Sequence, residues 1–138
     1  MTPAELSRIH AAAFTQTRPW SEAEFADFLE SPLCFLVTNG ESFALGRVLG
    51  PEAELLTLAV APLTQGKGLG RACLAQYEAT ALAQGAEESF LEEAAPNSIA
   101  INLYLTAGYT QVAERRDYYQ ATDGSRQDAL ILRKTLKI

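Results

Sequence analysis

The chain has 138 residues, 48% of them hydrophobic and 20% charged, and its formal net charge at pH 7 is −6. That length suits a single domain, residues 1–138, around one core, and the acidic balance argues against a nucleic-acid partner, because the phosphate term needs clustered Lys and Arg. No apolar run approaches the roughly 20 residues of a membrane span, no basic-then-apolar leader opens the chain, and Cys34 and Cys73 form neither a metal-ligand spacing nor a disulfide framework; the expectation is a cytoplasmic protein with no membrane contact and no metal.

Thr2, Pro3 and Glu5 stand as N-cap, first helical residue and capping-box acid, which predicts a helix running to about Phe14. Ser21 and Glu24 repeat the box for a second helix, ending near Glu30-Ser31-Pro32. Arg18-Pro19-Trp20 joins the two, and Trp20 reads either as an anchor packed between them or as a ligand contact. His10, the lone histidine, falls on the apolar first helix and reads as structural or as surface. Leu33–Thr38 is an apolar strand, and Asn39-Gly40 is a strong hairpin signal that returns Ser42–Leu49 antiparallel. Gly50-Pro51 leads into a third strand over Glu54–Val60, apolar almost throughout and so expected to be covered on both faces. Ala72–Gln84, closed by Gly85, is an Ala-rich helix in which Cys73 is a small buried hydrophobe. Ser89–Glu93 is a short strand broken at Ala95-Pro96. Ser98–Ala107 is a helix with Gly108 just past its end and Tyr109 as the apolar companion. Thr110–Tyr119 and Asp128–Arg133 make a hairpin around Thr122–Ser125. The order α-α-β-β-β-α-β-α-β-β sets a parallel strand–helix–strand crossover between antiparallel hairpins, which is an α/β chain with a mixed sheet and helices on its faces.

Between the third strand and the Ala-rich helix lies Gln65-Gly66-Lys67-Gly68-Leu69-Gly70-Arg71. A glycine-rich turn that opens a helix aims several backbone N–H groups at one point, with the positive end of the helix behind them, and suits an anion, most often a phosphate. A nucleotide-hydrolase loop needs Ser or Thr after its Gly-Lys, but Lys67 is followed by Gly68. A dinucleotide fingerprint needs a glycine where Arg71 stands. Glu92 and Glu93 end the next strand, at the edge where parallel sheets place ligands. Adjacent strand residues face opposite ways, so one of the two is expected to point inward. Asn97 and Tyr104 lie two helical turns apart and share a face. Asn97 reads either as a helix N-cap or as an amide offered to a cleft, and Tyr104 as a phenol offered to the same cleft.

Gln65, Gly68 and Gly70 carry a Gln-x-x-Gly-x-Gly spacing that resembles the coenzyme A pyrophosphate loop of the GNAT acetyltransferases. Leu91-Glu92-Glu93, then Asn97, Leu103-Tyr104 and Gly108-Tyr109, is similar to the second half of that family's cofactor site. With Leu58-Ala59-Val60 the match covers about half the chain in the right order. Arg18-Pro19-Trp20-Ser21, Arg115-Arg116-Asp117-Tyr118-Tyr119, Thr122-Asp123-Gly124 and Asp128-Ala129 are similar, more narrowly, to the branch that acetylates ribosomal-protein N-termini.

The resemblance implies the family's acyl-CoA N-acyltransferase fold, a mixed sheet of six or seven strands with about four helices. It implies acetyl transfer from acetyl-coenzyme A to a protein α-amine, with a small-subunit ribosomal protein as partner. Leu58, Ala59 and Val60 would line the pantetheine, in a gap where the two central parallel strands splay. Gln65, Gly66, Lys67, Gly68, Leu69, Gly70 and Arg71 would hold the pyrophosphate, and Asn97 and Tyr104 would contact the cofactor. Glu92 matches the general base and Tyr104 the general acid that protonates the departing thiolate. Trp20, Glu93, Tyr118 and Tyr119 are candidate acceptor contacts, and strand alternation admits one of the two tyrosines to the cleft. Two departures stand out. The family's first edge strand is absent ahead of the first helix, which leaves Leu33–Thr38 more exposed, and Glu93 and Ala94 replace a Val and an Arg. Other acceptors (a Lys side chain, a polyamine, an aminoglycoside) and a non-catalytic acyl-coenzyme A binding module are the alternatives.

Overall fold

The computed structural model describes residues 1–14 and 18–137; positions 15–17 and 138, which the single-domain reading includes, lie outside the described residues. Both predicted capping boxes form. In α1 (Pro3–Ala13) Thr2 Oγ1 accepts from Glu5 N–H at 3.2 Å and Glu5 Oε1 accepts from Thr2 N–H at 3.3 Å. In α2 (Glu22–Glu30) Ser21 and Glu24 exchange the same bonds at 3.2 and 3.0 Å. Arg18 forks onto the Glu24 carboxylate at 2.7 and 3.0 Å, which ties the connecting loop to the start of α2.

The remaining elements are β1 (Cys34–Asn39), β2 (Ser42–Leu49), β3 (Glu52–Val60), α3 (Leu69–Ala83), β4 (Glu88–Ala94), α4 (Ser98–Thr106), β5 (Thr110–Gln120) and β6 (Arg126–Thr135). The described residues form a six-stranded sheet in the order β1-β2-β3-β4-β6-β5, in which β3 and β4 are parallel and the other neighbours antiparallel. β1 is an edge strand and mostly half-buried, the exposed position expected for it. Its hairpin to β2 closes at Gly40-Glu41, because Asn39 pairs with Ser42. α3 begins at Leu69, inside the glycine turn rather than after it. No described helix is long and apolar enough to cross a membrane.

The sheet is covered on both faces. α3 and α4 pack on one, where Ala53, Leu55, Leu74, Tyr77, Leu91 and Leu132 are buried. α1 and α2 pack on the other, against Phe43, Leu45 and Ala59. β3 feeds both cores, which is why its sequence beyond Glu54 is apolar at every position but Thr57. Cys73 is buried against Ser42, its Sγ 3.2 Å from the Ser42 hydroxyl.

A bulge in β3 sets the geometry of everything that follows. β3 and β4 pair at Glu52↔Glu88, Ala53↔Ser89 and Glu54↔Phe90, and then the ladder stops. Immediately beyond, Leu45 of β2 pairs with Thr57 while Gly46 pairs with Leu55, so Leu56 is left over. An extra residue bends its strand and increases the local twist, and past it β3 and β4 diverge. The extra residue also reverses the alternation of side chains. Ahead of it Ala53 and Leu55 join the core under α3. Beyond it Leu58 and Val60 take that side, where each lies within 4 Å of the position of a Gly70 Cβ. Opposite the bulge, a Cβ at Gly46 would sit 2.6 Å from Tyr77 and 2.7 Å from Phe35, whose rings stack with centroids 5.7 Å apart.

Candidate active site

Two clefts open where β3 and β4 part. The first, of about 400 Å³, runs between the end of β3, the glycine turn and α4. Leu58, Ala59, Val60, Gln65, Gly66, Gly68, Leu69, Gly70, Arg71, Asn97 and Tyr104 all line it, whereas Lys67 is exposed and does not. Gly66 and Gly68 take φ of +80° and +79°, and a Cβ on either would meet nothing within 4 Å. Backbone conformation, not crowding, therefore asks for glycine at both. The first hydrogen bond of α3 runs from Ala72 N–H to Gly68 O at 3.1 Å, and no side chain caps the helix. The N–H groups of Leu69, Gly70 and Arg71 are thus left without a described protein acceptor, at the positive end of a 15-residue helix. Gln65 Nε2 donates to Val60 O at 3.1 Å and braces the turn against β3. Arg71 donates to Thr106 Oγ1 at 2.8 Å, which ties the turn to α4.

The open edge of β3 is polar in its backbone. Ala61 N–H is given to Glu41 O at 3.0 Å. Alternation in an antiparallel ladder then turns the N–H and C=O groups of Leu58 and Val60 away from β2, toward the side that β4 has left.

The second cleft, of about 570 Å³, is lined by His10, Trp20, Thr57, Glu92, Tyr118 and Tyr119 among others. Phe14, Leu58, Glu93 and Tyr104 line both clefts and mark their junction. Tyr104 is 4% exposed, and its hydroxyl makes no hydrogen bond to a described residue. Burial, with a further push from Glu93, holds that hydroxyl well above the usual tyrosine range, so it stays protonated.

Glu92 and Glu93 do point opposite ways, yet both reach the second cleft, which corrects the expectation that one alone would point inward. Side chains from both faces meet there because the strands have parted. Glu92 lies 3.3 Å from the Arg115 guanidinium, which reaches it from β5. Glu93 turns to the α4 side, where its Oε1 accepts from Asn97 Nδ2 and Ala94 N–H, each at 3.2 Å. Burial lifts the Glu93 carboxyl to about 7. Asn97 fills both of its readings. Its Oδ1 caps α4 by accepting from Ala100 N–H at 3.3 Å, and its side chain lines the first cleft.

Tyr118 and Tyr119 also both line the second cleft, against the expectation from simple alternation. Arg115 pairs with Ala129 and Tyr119 with Gln127, so Arg116, Asp117 and Tyr118 stand opposite Asp128 alone. That bulge breaks the period of two, and the rings of Tyr118 and Tyr119 meet edge-on at 5.1 Å. Burial, with Glu93 and Glu92 adding to it, pushes the Tyr119 hydroxyl up to about 12.

His10 is the part of the site that sequence reasoning missed. It is 3% exposed and bridges two elements. Its Nδ1 accepts from the Trp20 N–H at 3.0 Å, so in the neutral ring Nε2 carries the proton and donates it to Thr57 Oγ1 at 3.2 Å. The imidazole stacks on Phe14 at 4.1 Å and on Trp20 at 5.3 Å, and burial drives its pKa down to about 4. Trp20 in turn stacks on Phe28 at 5.0 Å. It is therefore both the packing anchor and part of the cleft wall. The available signal was its place beside Leu6 and Ile9, the buried positions of an otherwise exposed helix.

Free helix-start amides on one side of the gap suit an anionic ligand, and the carboxylates on the other suit proton transfer. Residues 4–109 match the profile of the acetyltransferase (GNAT) family, and the chain belongs to that family. It is 42% identical over 118 residues, 83% of this chain and 79% of the relative, to the [ribosomal protein bS18]-alanine N-acetyltransferase of Escherichia coli K12. It is 32% identical over 137 residues, 93% of this chain and 83% of the relative, to the N-alpha-acetyltransferase RimI of Mycobacterium tuberculosis. The crystal structure of the ribosomal-protein-S18-alanine N-acetyltransferase from Escherichia coli superposes with a TM-score of 0.87 at 33% identity, covering 99% of this chain and 88% of that one.

Proposed function

We propose that this enzyme transfers an acetyl group from acetyl-coenzyme A to the α-amine at the N-terminus of a small-subunit ribosomal protein. The observation that carries the reading is the junction of the two clefts at Tyr104 and Glu93, with Glu92 on the wall of the second. The residues present fit the donor. The uncapped amides of Leu69, Gly70 and Arg71 suit its diphosphate, and the outward backbone groups of Leu58 and the outward N–H of Val60 suit the amides of an extended pantetheine. Acetyl-coenzyme A supplies the acyl group already activated as a thioester.

The chain's own residues supply the proton handling and the charge stabilisation. A free α-amine has a pKa of about 7.7–8.0, so roughly a tenth is neutral at pH 7, against well under a thousandth for a Lys amine near 10.4. Glu92, directly or through a water, takes the ammonium proton and leaves a nucleophilic amine. A backbone N–H of β3 near Val60 holds the negative charge that develops on the thioester oxygen. As the C–N bond forms and the C–S bond breaks, Tyr104 gives its proton to the departing sulfur and is reprotonated from solvent, while the second amine proton and the one taken by Glu92 leave to solvent. Cys73 is buried in α3 away from both clefts and takes no part. The similarity to acetyltransferases named for ribosomal-protein alanine supports the choice of acceptor.

The test is thiol release by purified protein supplied with acetyl-coenzyme A and a short peptide that begins with alanine. A Lys-containing peptide with a blocked N-terminus and spermidine serve as competitors. Turnover of either competitor in preference to the α-amine overturns the acceptor; no thiol release with any of the three overturns the transferase.

A further inference from the structure

The run Asp128-Ala129 is part of the sequence resemblance, yet nothing in the chemistry above uses Asp128. Its side chain has one polar contact among the described residues. Oδ1 accepts from Asp117 N–H at 2.9 Å, at the crest of the β5 bulge. Asp117 has φ +52°, and among the described residues it is the one non-glycine in the left-handed region. That conformation is costly for a residue with a side chain and persists where the surroundings hold it. The backbone of Asp128 faces the other way. Its carbonyl accepts from Ala95 N–H at 2.8 Å, just after the strand that carries Glu92 and Glu93. One residue thus fastens the bulge on β5 to the end of β4.

The residues that flank this fastening are the ones that wall the second cleft. Arg115 enters the bulge and meets Glu92 at 3.3 Å, and its guanidinium also lies 5.1 Å from the centre of the Tyr118 ring. Tyr118 and Tyr119 leave the bulge and line the cleft together. With a regular ladder one tyrosine would face away, and the cleft would lose one of the two rings that β5 gives it.

We propose that Asp128 is a positioning residue for the acceptor: by holding the Asp117 amide it locks the bulge that presents Arg115, Tyr118 and Tyr119 to the incoming peptide. The proposal rests on the second cleft being the acceptor site, as in the function above. The Asp128 carboxylate does not touch the reacting atoms and acts through those three side chains. A bulge on an edge strand can also serve merely to discourage pairing with another sheet, and that role would leave acceptor binding untouched.

Trp20 is the single tryptophan of the chain and lines the same cleft, so its fluorescence reports peptide binding without any turnover. The probe is the short alanine-initiated peptide, titrated into full-length protein. Asp128→Ala is expected to weaken peptide binding roughly tenfold, the scale of one lost hydrogen bond, and to leave acetyl-coenzyme A affinity unchanged. Asp128→Asn keeps an oxygen in place to accept the bond and is expected to bind peptide as the wild type does. Asp117→Gly frees position 117 to adopt its backbone conformation without help, and in combination with Asp128→Ala it is expected to restore binding. Unchanged peptide affinity in Asp128→Ala, an equal loss of peptide and acetyl-coenzyme A affinity, or failure of Asp128→Asn to behave as wild type overturns the proposal. So does a wild-type protein in which the peptide leaves Trp20 emission unaltered. A protein that binds the peptide but releases no thiol would instead overturn the transferase reading alone.

Discussion

Glu93 Oε1 lies 3.2 Å from Asn97 Nδ2, so the last carboxyl of β4 is fastened to the residue that caps α4. The family resemblance places a valine there. In this chain the junction of the two clefts therefore carries an extra titrating group, with a pKa raised to about 7 by burial.

That group predicts a pH dependence of stability. The folded carboxyl holds its proton up to about 7, whereas an unfolded one releases it near 4.5. Between those values the folded chain binds more protons, so Glu93 stabilises fully below pH 4.5 and that stabilisation is lost as pH rises through 7. Glu93→Gln keeps an acceptor for Asn97 and does not titrate. It is expected to gain on the order of 2 kcal/mol over the wild type at pH 8 in urea unfolding. An equal stability of the two proteins at that pH counts against the buried carboxyl.

His10 predicts the opposite slope. Its neutral form is kept in the fold down to about pH 4, while the unfolded ring protonates near 6.5. The unfolded chain binds the extra proton in that window, so stability is lost as pH falls from 6.5 to 4. From pH 4.5 to 6.5 the contributions of His10 and Glu93 cancel, and these two groups leave the wild-type curve flat there. Glu93→Gln should unmask a fall in stability toward acid, and His10→Phe a fall toward neutral pH. Urea midpoints at pH 5 and 6.5 for the two variants decide it, and parallel shifts at both values would contradict the scheme.

Glu92→Gln is expected to lower kcat by about 10²–10⁴-fold, the range for loss of a general base, with acetyl-coenzyme A affinity retained. Tyr104→Phe should lower kcat as well. Because the Tyr104 hydroxyl stays protonated across the working range, it should not move any alkaline limb of the pH–rate profile. Retention of full activity by either variant, measured by thiol release, removes that residue from the chemistry.

Two glycine substitutions should separate the donor cleft from the core. Gly68→Ala is strained by its φ of +79° but meets no atom within 4 Å. It should cost about 1–2 kcal/mol of stability and weaken coenzyme A binding. Gly46→Ala drives a methyl to 2.6 Å from Tyr77. It should cost roughly 1–3 kcal/mol through overpacking, with coenzyme A affinity intact. Calorimetric titration beside thermal melts would show whether the two effects part in this way.

Most of the element order was legible because its signals are local. The Thr2–Glu5 and Ser21–Glu24 boxes close on themselves within three residues, and the glycine turn announces its helix through backbone conformation alone. What escaped was non-local. The bulges at Leu56 and at Arg116–Tyr118 exist through pairing with β2 and β6, and a rule of strict alternation misplaces the side chains beyond the first and within the second. His10 meets Thr57 across 47 positions, and its neighbours Leu6 and Ile9 signal its burial but not its partner. Helix α3 starts earlier than its Ala-rich pattern, and its one glycine, Gly70, a weak helix former, sits there among Leu58, Val60 and Leu103.

Leu56 makes this region more sensitive to length than to composition. Were Leu56 to pair with Leu45 instead of standing out of the ladder, β3 would run without interruption and exchange the sides taken by Leu58 and Val60 with those of Thr57 and Ala59. His10 would then face an alkyl group where it now bonds a hydroxyl, and Gly70 would lose both of its strand neighbours. An insertion–deletion scan through β3 should therefore tolerate the loss of Leu56 itself, which keeps every later residue on its present side, better than the loss of a residue beyond it.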